Sequence, residues 1–537
     1  MREWQVVAFV VFAVAGLTGR AAGQQSVEAD VLLKGGTIYD GTGGEPVVGD
    51  VAIRGEKIVA VGAVNVGRAD LVIDCRGLSV APGFIDLHNH SDRQIVDPDT
   101  RANVNFLTQG CTTVVTGNCG SGPVDVAAYY QKIDAAGAGT NVAHLLPQGS
   151  LRGEVVGSAD RPPRDDELDE MRRLAANAMH EGAWGMSTGL IYVPSSYAQT
   201  DELVEIAKVV ADGGGIYASH IRNEGIELLV AVNEALDIGR RAGLPVHVSH
   251  FKSSGREAWG LVRRAAEMIE QARAAGQPVT ADQYPYIASS TSLEATVIPT
   301  WARAGGQKEL LKRLDDPATS DRIRSYMADR LAKRDGGAVL RIARYGKRPE
   351  WAGRSIAEIA AAEQMEPLQL ALDITRNGGA AIVNFSMAED DVRHIMQIPW
   401  VATASDGRAY VPGPDRPHPR SYGTFPRKIG YYAIGEEVLP LAQAIRSASG
   451  LPADILGLCD RGYVKADAFA DVVVFDPGAF RDEATFEEPH RYSSGVKFVF
   501  VNGRPAVFEG HPTGALAGRA LRHAATTAGG QEGKQED

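Results

Sequence analysis

The sequence predicts an α/β protein: a (β/α)8 TIM-type barrel with a small β-sandwich domain built from both termini and a helical insertion. Three observations predict it. Short apolar runs alternate with Ala-, Leu- and Glu-rich stretches through the middle of the chain, which implies parallel strands joined by helical crossovers. Glycine-punctuated alternating runs mark the two ends and read as β-hairpins. Histidines, a cysteine and an aspartate stand where the apolar runs stop, and a barrel of this kind carries its site at the carboxyl ends of its strands.

The chain opens with MREWQVVAFVVFAVAGLTGRAAGQQ. Arg2, the apolar run from Val6 to Leu17 and the small residues Ala21-Ala22-Gly23 form a secretory signal pattern over 1–23, with a run short for a membrane span. Export to a periplasm or outside the cell is expected, with no stable membrane insertion after cleavage; an uncleaved anchor is the alternative. The first hairpins follow in 29–81 (DVLLKGGTIYDGTG, GDVAIRGEKIVAVG, ADLVIDCRGLSVAPG) and the last in 462–522 (KADAFADVVVFDP, VKFVFVNGRPAVFEG, GALAGRALR). Between them, in 82–461, the runs FIDLH, TTVVT, VAHLL, AWGMS, GIYAS, VHVSH, VTADQ and VATASD end near 88, 116, 146, 187, 219, 250, 283 and 406. AAIVNF at 380–385 is a ninth run for eight places. Residues 291–344 read as a mostly helical insertion, and the polar stretch 524–537 as a disordered tail.

A chain of 537 residues, 44% of them hydrophobic, can bury a large core and divides into more than one structural unit. With 67 acidic against 55 basic residues and a net charge of −12, it suits neither a nucleic-acid partner nor a basic membrane-surface module, so a small-molecule substrate is the expected partner. The four cysteines, Cys75, Cys111, Cys119 and Cys459, are too scattered for a disulfide framework, and Cys111 reads as a buried strand thiol.

The chemistry lies at the strand ends. In APGFIDLHNHSD, His88 and His90 are two residues apart, so alternation aims them the same way, and Asp86 and Asp92 share that parity and could orient the imidazoles. YASHIRNEG ends a run at His220, VHVSHFKSSG another at His250, and TASDGR the last at Asp406. Each alone has a bland reading, a histidine on a backbone carbonyl or an aspartate capping a helix. That they all fall at strand ends, with Cys119 in TTVVTGNCGSG, points to one shared site. Imidazoles, a thiolate and a carboxylate form a ligand set suited to zinc. The glycines around Cys119 let the backbone turn sharply and present the sulfur. A redox or nucleophilic role for Cys119 is the competing reading.

The sequence resembles the D-aminoacylases (N-acyl-D-amino-acid deacylases) of the amidohydrolase superfamily. The motifs that carry the resemblance are PGFIDLHNHSD, TGNCG, STGLIYVPSSYA, SHIRNEG, HVSHFKSSG, DQYPYIASST, ASDGR and HPRSYGTFPR. The HxH pair belongs to the whole superfamily; TGNCG and HPRxxGTFPR are narrower. The resemblance implies a zinc held tightly by Cys119, His220 and His250, and a weaker metal site near His88 and His90. It implies Asp406 as catalytic base, and Tyr192, Lys252, Tyr284, Ser290 and Arg420 as the residues that hold substrate. Arg420 and Lys252 suit a substrate carboxylate, one as a bidentate fork and the other as a point charge.

The expected function is zinc-dependent hydrolysis of the amide of N-acyl-D-amino acids. Three other readings compete. A cyclic-amide hydrolase of the dihydropyrimidinase or hydantoinase kind bridges two metals with a carbamylated lysine, but the fourth strand run, GAWGMSTGL, holds no lysine. A non-enzymatic scaffold would have lost its ligands, and this chain keeps them. An exported D-peptidase would share the site and differ in what the pocket admits.

Overall fold

The computed structural model describes residues 26–524; the expected leader (1–23) and all but the first residue of the expected tail (524–537) lie outside them. Eight parallel barrel strands follow one another along the chain. They are β1 (Phe84–Asp86), β2 (Cys111–Thr116), β3 (Asn141–His144, resuming at Leu146–Pro147) and β4 (Gly185–Gly189). Then come β5 (Ile216–His220), β6 (Val246–Val248), β7 (Val279–Gln283) and β8 (Val401–Thr403). All residues of β2, β4 and β5 are buried, as expected of parallel strands covered on both faces. The ladder is continuous from β3 to β8, while the β8–β1 seam is held by an isolated bridge, Asn89 to Gly407. Two backbone hydrogen bonds support that seam, His90 N to Gly407 O (2.7 Å) and Asp406 N to His88 O (2.8 Å). The seam that completes the barrel therefore also fixes three site residues.

The crossover helices pack by apolar stripes. In Asp165–His180 the buried Met171, Ala175, Ala178 and Met179 recur at helical spacing, and Asp165, Asp166 and Glu167 place negative charge at the positive end of the helix dipole. Leu228–Ala242 ends on Gly243 in the left-handed conformation, the usual glycine terminator.

Both termini build one further sheet. It has nine strands and branches at the long strand Val27–Ile38, whose first half pairs Val66–Asp74 and whose second half pairs Ser79–Pro82. Ser79–Pro82 in turn pairs Val472–Phe475 of the C-terminal segment. The expected sandwich is thus a single branched sheet joined by hydrogen bonds, filled by Leu33, Val51, Ile53, Val474 and Phe500.

The insertion is longer than 291–344. It begins at Ala288–Ser292 and returns at Ala381–Phe385, which pair with each other and with Leu340–Arg344 in an antiparallel sheet of three strands. The ninth apolar run, AAIVNF, belongs here and not to the barrel. Helices at Ile356–Ala362 and Pro367–Arg376 lie inside the same insertion and share its core. Among the described residues no helix is long and apolar enough to cross a membrane.

Candidate active site

Five strand ends converge. His88 and His90 follow β1, Cys119 follows β2, His220 ends β5, His250 follows β6 and Asp406 follows β8. The Cys119 sulfur lies 3.2 Å from His88 Nε2, 3.5 Å from His220 Nδ1 and 3.7 Å from His250 Nε2. Asp406 Oδ1 stands 3.0 Å from His90 Nε2 and 3.6 Å from His88 Nε2. Three overlapping groups, His88–His90–Cys119, Cys119–His220–His250 and His88–His250–Asp406, have their donor atoms within 4.8 Å of one another.

The backbone is bent to achieve this. Cys119 (φ 51°), His250 (φ 37°) and Asp406 (φ 50°) all occupy the left-handed region. Such conformations cost on the order of 1–3 kcal/mol each, so surrounding structure must enforce them. Around Cys119 the backbone packs closely where glycine leaves room. A Cβ on Gly117 would fall 2.0 Å from the Leu145 carbonyl oxygen, and one on Gly189 would fall 2.1 Å from the Cys119 carbonyl oxygen.

The carboxylates that orient the rings are not the expected ones. Asp86 accepts hydrogen bonds from Ser405 N (2.8 Å), Ser405 Oγ (2.5 Å) and Asn89 Nδ2 (2.8 Å), tying the β8 loop to β1. Asp92 accepts from Gly117 N (2.7 Å) and so holds the Cys119 turn. The imidazoles are held by Asp282, in β7. Its Oδ2 faces His88 Nδ1 (3.3 Å) and His247 Nε2 (2.9 Å), and its Oδ1 accepts from His250 N (2.7 Å). Glu224 Oε1 lies 2.9 Å from His250 Nδ1. An acid inside an apolar strand, and another four residues after His220, were the available signals for these two.

Electrostatics favour a thiolate at Cys119 and a carboxylate at Asp406. Burial opposes charge on Cys119, yet His88, His220 and His250 pull its thiol well below the ordinary value. Burial likewise opposes a charged His88, but Cys119, Asp282 and Asp406 raise it well above the usual imidazole value. Burial would raise Asp406 too; Arg420, His88 and His90 hold it well below the carboxylate range.

This donor set fits zinc. With Zn–S about 2.3 Å and Zn–N about 2.1 Å, tetrahedral sulfur and nitrogen ligands lie roughly 3.5 Å apart. Within the Cys119–His220–His250 group the sulfur-to-nitrogen separations of 3.5 and 3.7 Å match that figure. Among the described residues His220 Nε2 is buried with no partner while Nδ1 faces the sulfur, as a ring committed through Nδ1 would be.

A cavity of about 990 Å³ opens onto the site, bordered by His90, Cys119, Tyr192, Ser290, Asp406 and Arg420. Tyr192 donates or accepts at Thr291 Oγ1 (3.1 Å), and burial keeps its hydroxyl protonated. Arg420 pairs with Asp406 Oδ2 (2.8 Å) and lies over the Tyr284 ring (4.8 Å to its centroid). Tyr284 and Lys252 sit deeper, beside a small void of about 10 Å³ behind His250. The Tyr284 hydroxyl is buried without a hydrogen-bond partner among the described residues. Lys252 is already engaged, donating to Glu224 Oε1 (2.5 Å) and His250 O (3.0 Å).

The model of the amidohydrolase family matches residues 71–507. A D-aminoacylase of Alcaligenes xylosoxydans xylosoxydans is 35% identical over 526 residues, covering 92% of this chain and 98% of the relative. The chain belongs to the D-aminoacylase group of the amidohydrolase family. An N-acyl-D-glutamate deacylase of the same organism is 36% identical over 94% of this chain and 98% of its own. Among solved structures, an N-acyl-D-glutamate deacylase from Bordetella bronchiseptica, complexed with zinc and a phosphonate that mimics the tetrahedral intermediate, superposes with a TM-score of 0.79. It is 32% identical and matched over 92% of this chain. Membership of the family makes the chain a metal-dependent hydrolase.

Proposed function

We propose that the chain hydrolyses the amide bond of N-acyl-D-amino acids, releasing a carboxylate and a free D-amino acid, with zinc held by Cys119, His220 and His250. The observation that carries it is the convergence of three ring nitrogens on the Cys119 sulfur beside Asp406. His88 and His90, with the same sulfur, offer a second position. Zinc held by Cys119, His220 and His250 would supply Lewis acidity at the amide carbonyl and would make water acidic enough to attack near neutral pH.

The chain's own groups do the rest. Asp406 Oδ1 faces the centre and takes the proton of the attacking water, whose oxygen bonds to the acyl carbon. Asp406 then delivers that proton to the amide nitrogen as the C–N bond breaks. The protonated Tyr192 hydroxyl donates to the developing oxyanion. Arg420 and Ser290 border the cavity where the substrate carboxylate binds; to hold it, Arg420 exchanges its pairing with Asp406 for the ligand. A cyclic-amide reading is disfavoured because Cys119, and no lysine of β4, spans the two ligand groups.

Export is proposed on the leader pattern alone, and the amino-terminal sequence of the secreted product tests it. The activity is tested with paired N-acetyl-D- and N-acetyl-L-amino acids beside dihydrouracil and a hydantoin. Turnover confined to the D series is expected; turnover of the cyclic amides instead would contradict it.

A further inference from the structure

One wall of the cavity comes from the insertion, and it carries an acid that the reaction does not use. Glu294, in the short helix Leu293–Val297, borders the same cavity as Cys119, Tyr192 and Asp406. Its carboxylate occupies the space left by a glycine turn: a Cβ on Gly379, itself at φ +77°, would fall 1.9 Å from Glu294 Oε1. Among the described residues no lysine or arginine pairs with it. Arg303, whose charge acts on it, is turned to the Ile191 carbonyl (3.0 Å) and Thr300 Oγ1 (3.2 Å). Ser292 offers a hydroxyl, and burial lifts the acid's pKa. Arg344, which ends the insertion strand Leu340–Arg344, and Arg408 also border the cavity and form no ion pair among the described residues; the charges of both act on Tyr410 in the 407–419 loop.

With the substrate carboxylate at Arg420 and the amide at the Cys119 centre, the remaining substituent on the α-carbon extends into the rest of this cavity, where the insertion contributes Glu294. We propose that Glu294 is a specificity residue for that substituent: it admits D-side chains that bring a cation or a hydrogen-bond donor and rejects carboxylates. A half-buried carboxylate repels a second one strongly where water is scarce, and binds an ammonium by a charge-assisted hydrogen bond. The chain is then unlike a deacylase of acidic D-amino acids in what it accepts, although it is 36% identical to one. This inference rests on the cavity being an N-acyl-D-amino-acid site.

The test is kcat/KM of the zinc-loaded full chain and of Glu294→Gln for N-acetyl-D-lysine, N-acetyl-D-norleucine and N-acetyl-D-glutamate. The wild type should prefer lysine to glutamate by at least about tenfold. Glu294→Gln should lower that ratio by at least about tenfold more, with norleucine changing less than either charged substrate. A wild type that prefers glutamate overturns the inference, as does a variant that leaves the ratio unchanged or loses all three substrates alike. Failure of the wild type on every N-acetyl-D-amino acid would instead remove the functional reading, and this inference with it.

Discussion

Cys119 is presented by a backbone that its own side chain disfavours, and glycines at 117 and 189 leave the room for the backbone to pack closely around it. The sulfur is one half of the design; the other is the carboxylate behind the rings. Asp282 holds His88 and His247 through one oxygen and the His250 backbone through the other. Burial would protonate it, but His88 and His247 hold its pKa far below the carboxylate range. Asp282→Asn keeps the shape and removes the charge that fixes the tautomers. Carboxylates behind metal-binding histidines are typically worth about 10–100-fold in affinity or activity, so zinc competition against a chelating dye should show a loss of that order. An unchanged zinc affinity and unchanged turnover would contradict this role. At this scale the sequence was legible where a residue type recurs at strand ends, as with His88, His220 and His250. It was not legible for Asp282 and Glu224, because a single acid in or after a strand looks the same whether it caps a helix or orients a ring. Asp86 and Asp92 had the right parity, yet their partners are Ser405 and Asn89 for the one and the Gly117 backbone for the other, which no spacing along the chain records.

At the scale of elements, the loop after β2 and the end of β4 are packed backbone against backbone. Gly189→Ala would press a methyl against the Cys119 carbonyl, 2.1 Å away. Overpacking of this kind costs about 1–3 kcal/mol, and zinc content should fall with it; metal analysis beside a melting curve measures both. A second element carries a different strain. The π-helical turn Arg427–Gly435 buries Lys428 completely, its ammonium has no partner among the described residues, and burial pulls its pKa down to about 7 from 10.5. Unfolding therefore takes up a proton between about pH 7 and 10.5, and stability rises with pH across that window. Below it the native state carries the buried charge and bears the full penalty. Lys428→Met should thus stabilise by a few kcal/mol below pH 7, at about 1.4 kcal/mol per pKa unit, and the gain should shrink towards pH 10. Melting temperatures of both proteins at pH 6 and 9.5 measure this; a gain that does not shrink would contradict it. Nothing in KIGYY at 428–432 announces an internal lysine, because a helix-compatible lysine ordinarily lies on a solvated face.

Across the whole molecule, the barrel was legible because parallel strands with crossovers impose a repeating texture, and eight of the apolar runs do become its strands. AAIVNF was not separable from them. A short apolar run is the same in an antiparallel sheet as in a barrel, and only its pairing with Ala288–Ser292 and Leu340–Arg344 decides. The insertion's far boundary was missed for the same reason, since Ile356–Ala362 and Pro367–Arg376 resemble crossover helices. That boundary matters for function: the insertion supplies Ser290, Thr291 and Glu294 to a cavity whose other wall is the barrel. The strands that carry the ligands are spread from β1 to β8, so metal should bind only the assembled barrel and tie its seam together.

The most direct measurement is a zinc titration of the metal-free chain, followed at once by metal analysis and by hydrolysis of N-acetyl-D-methionine, for the wild type and Cys119→Ser. The account predicts that wild-type turnover rises from background as the first equivalent binds tightly, and that the variant keeps its fold, binds zinc more weakly and stays at least about a hundredfold less active. A metal-free chain with full activity, or a Cys119→Ser protein that is both zinc-loaded and fully active, would contradict it.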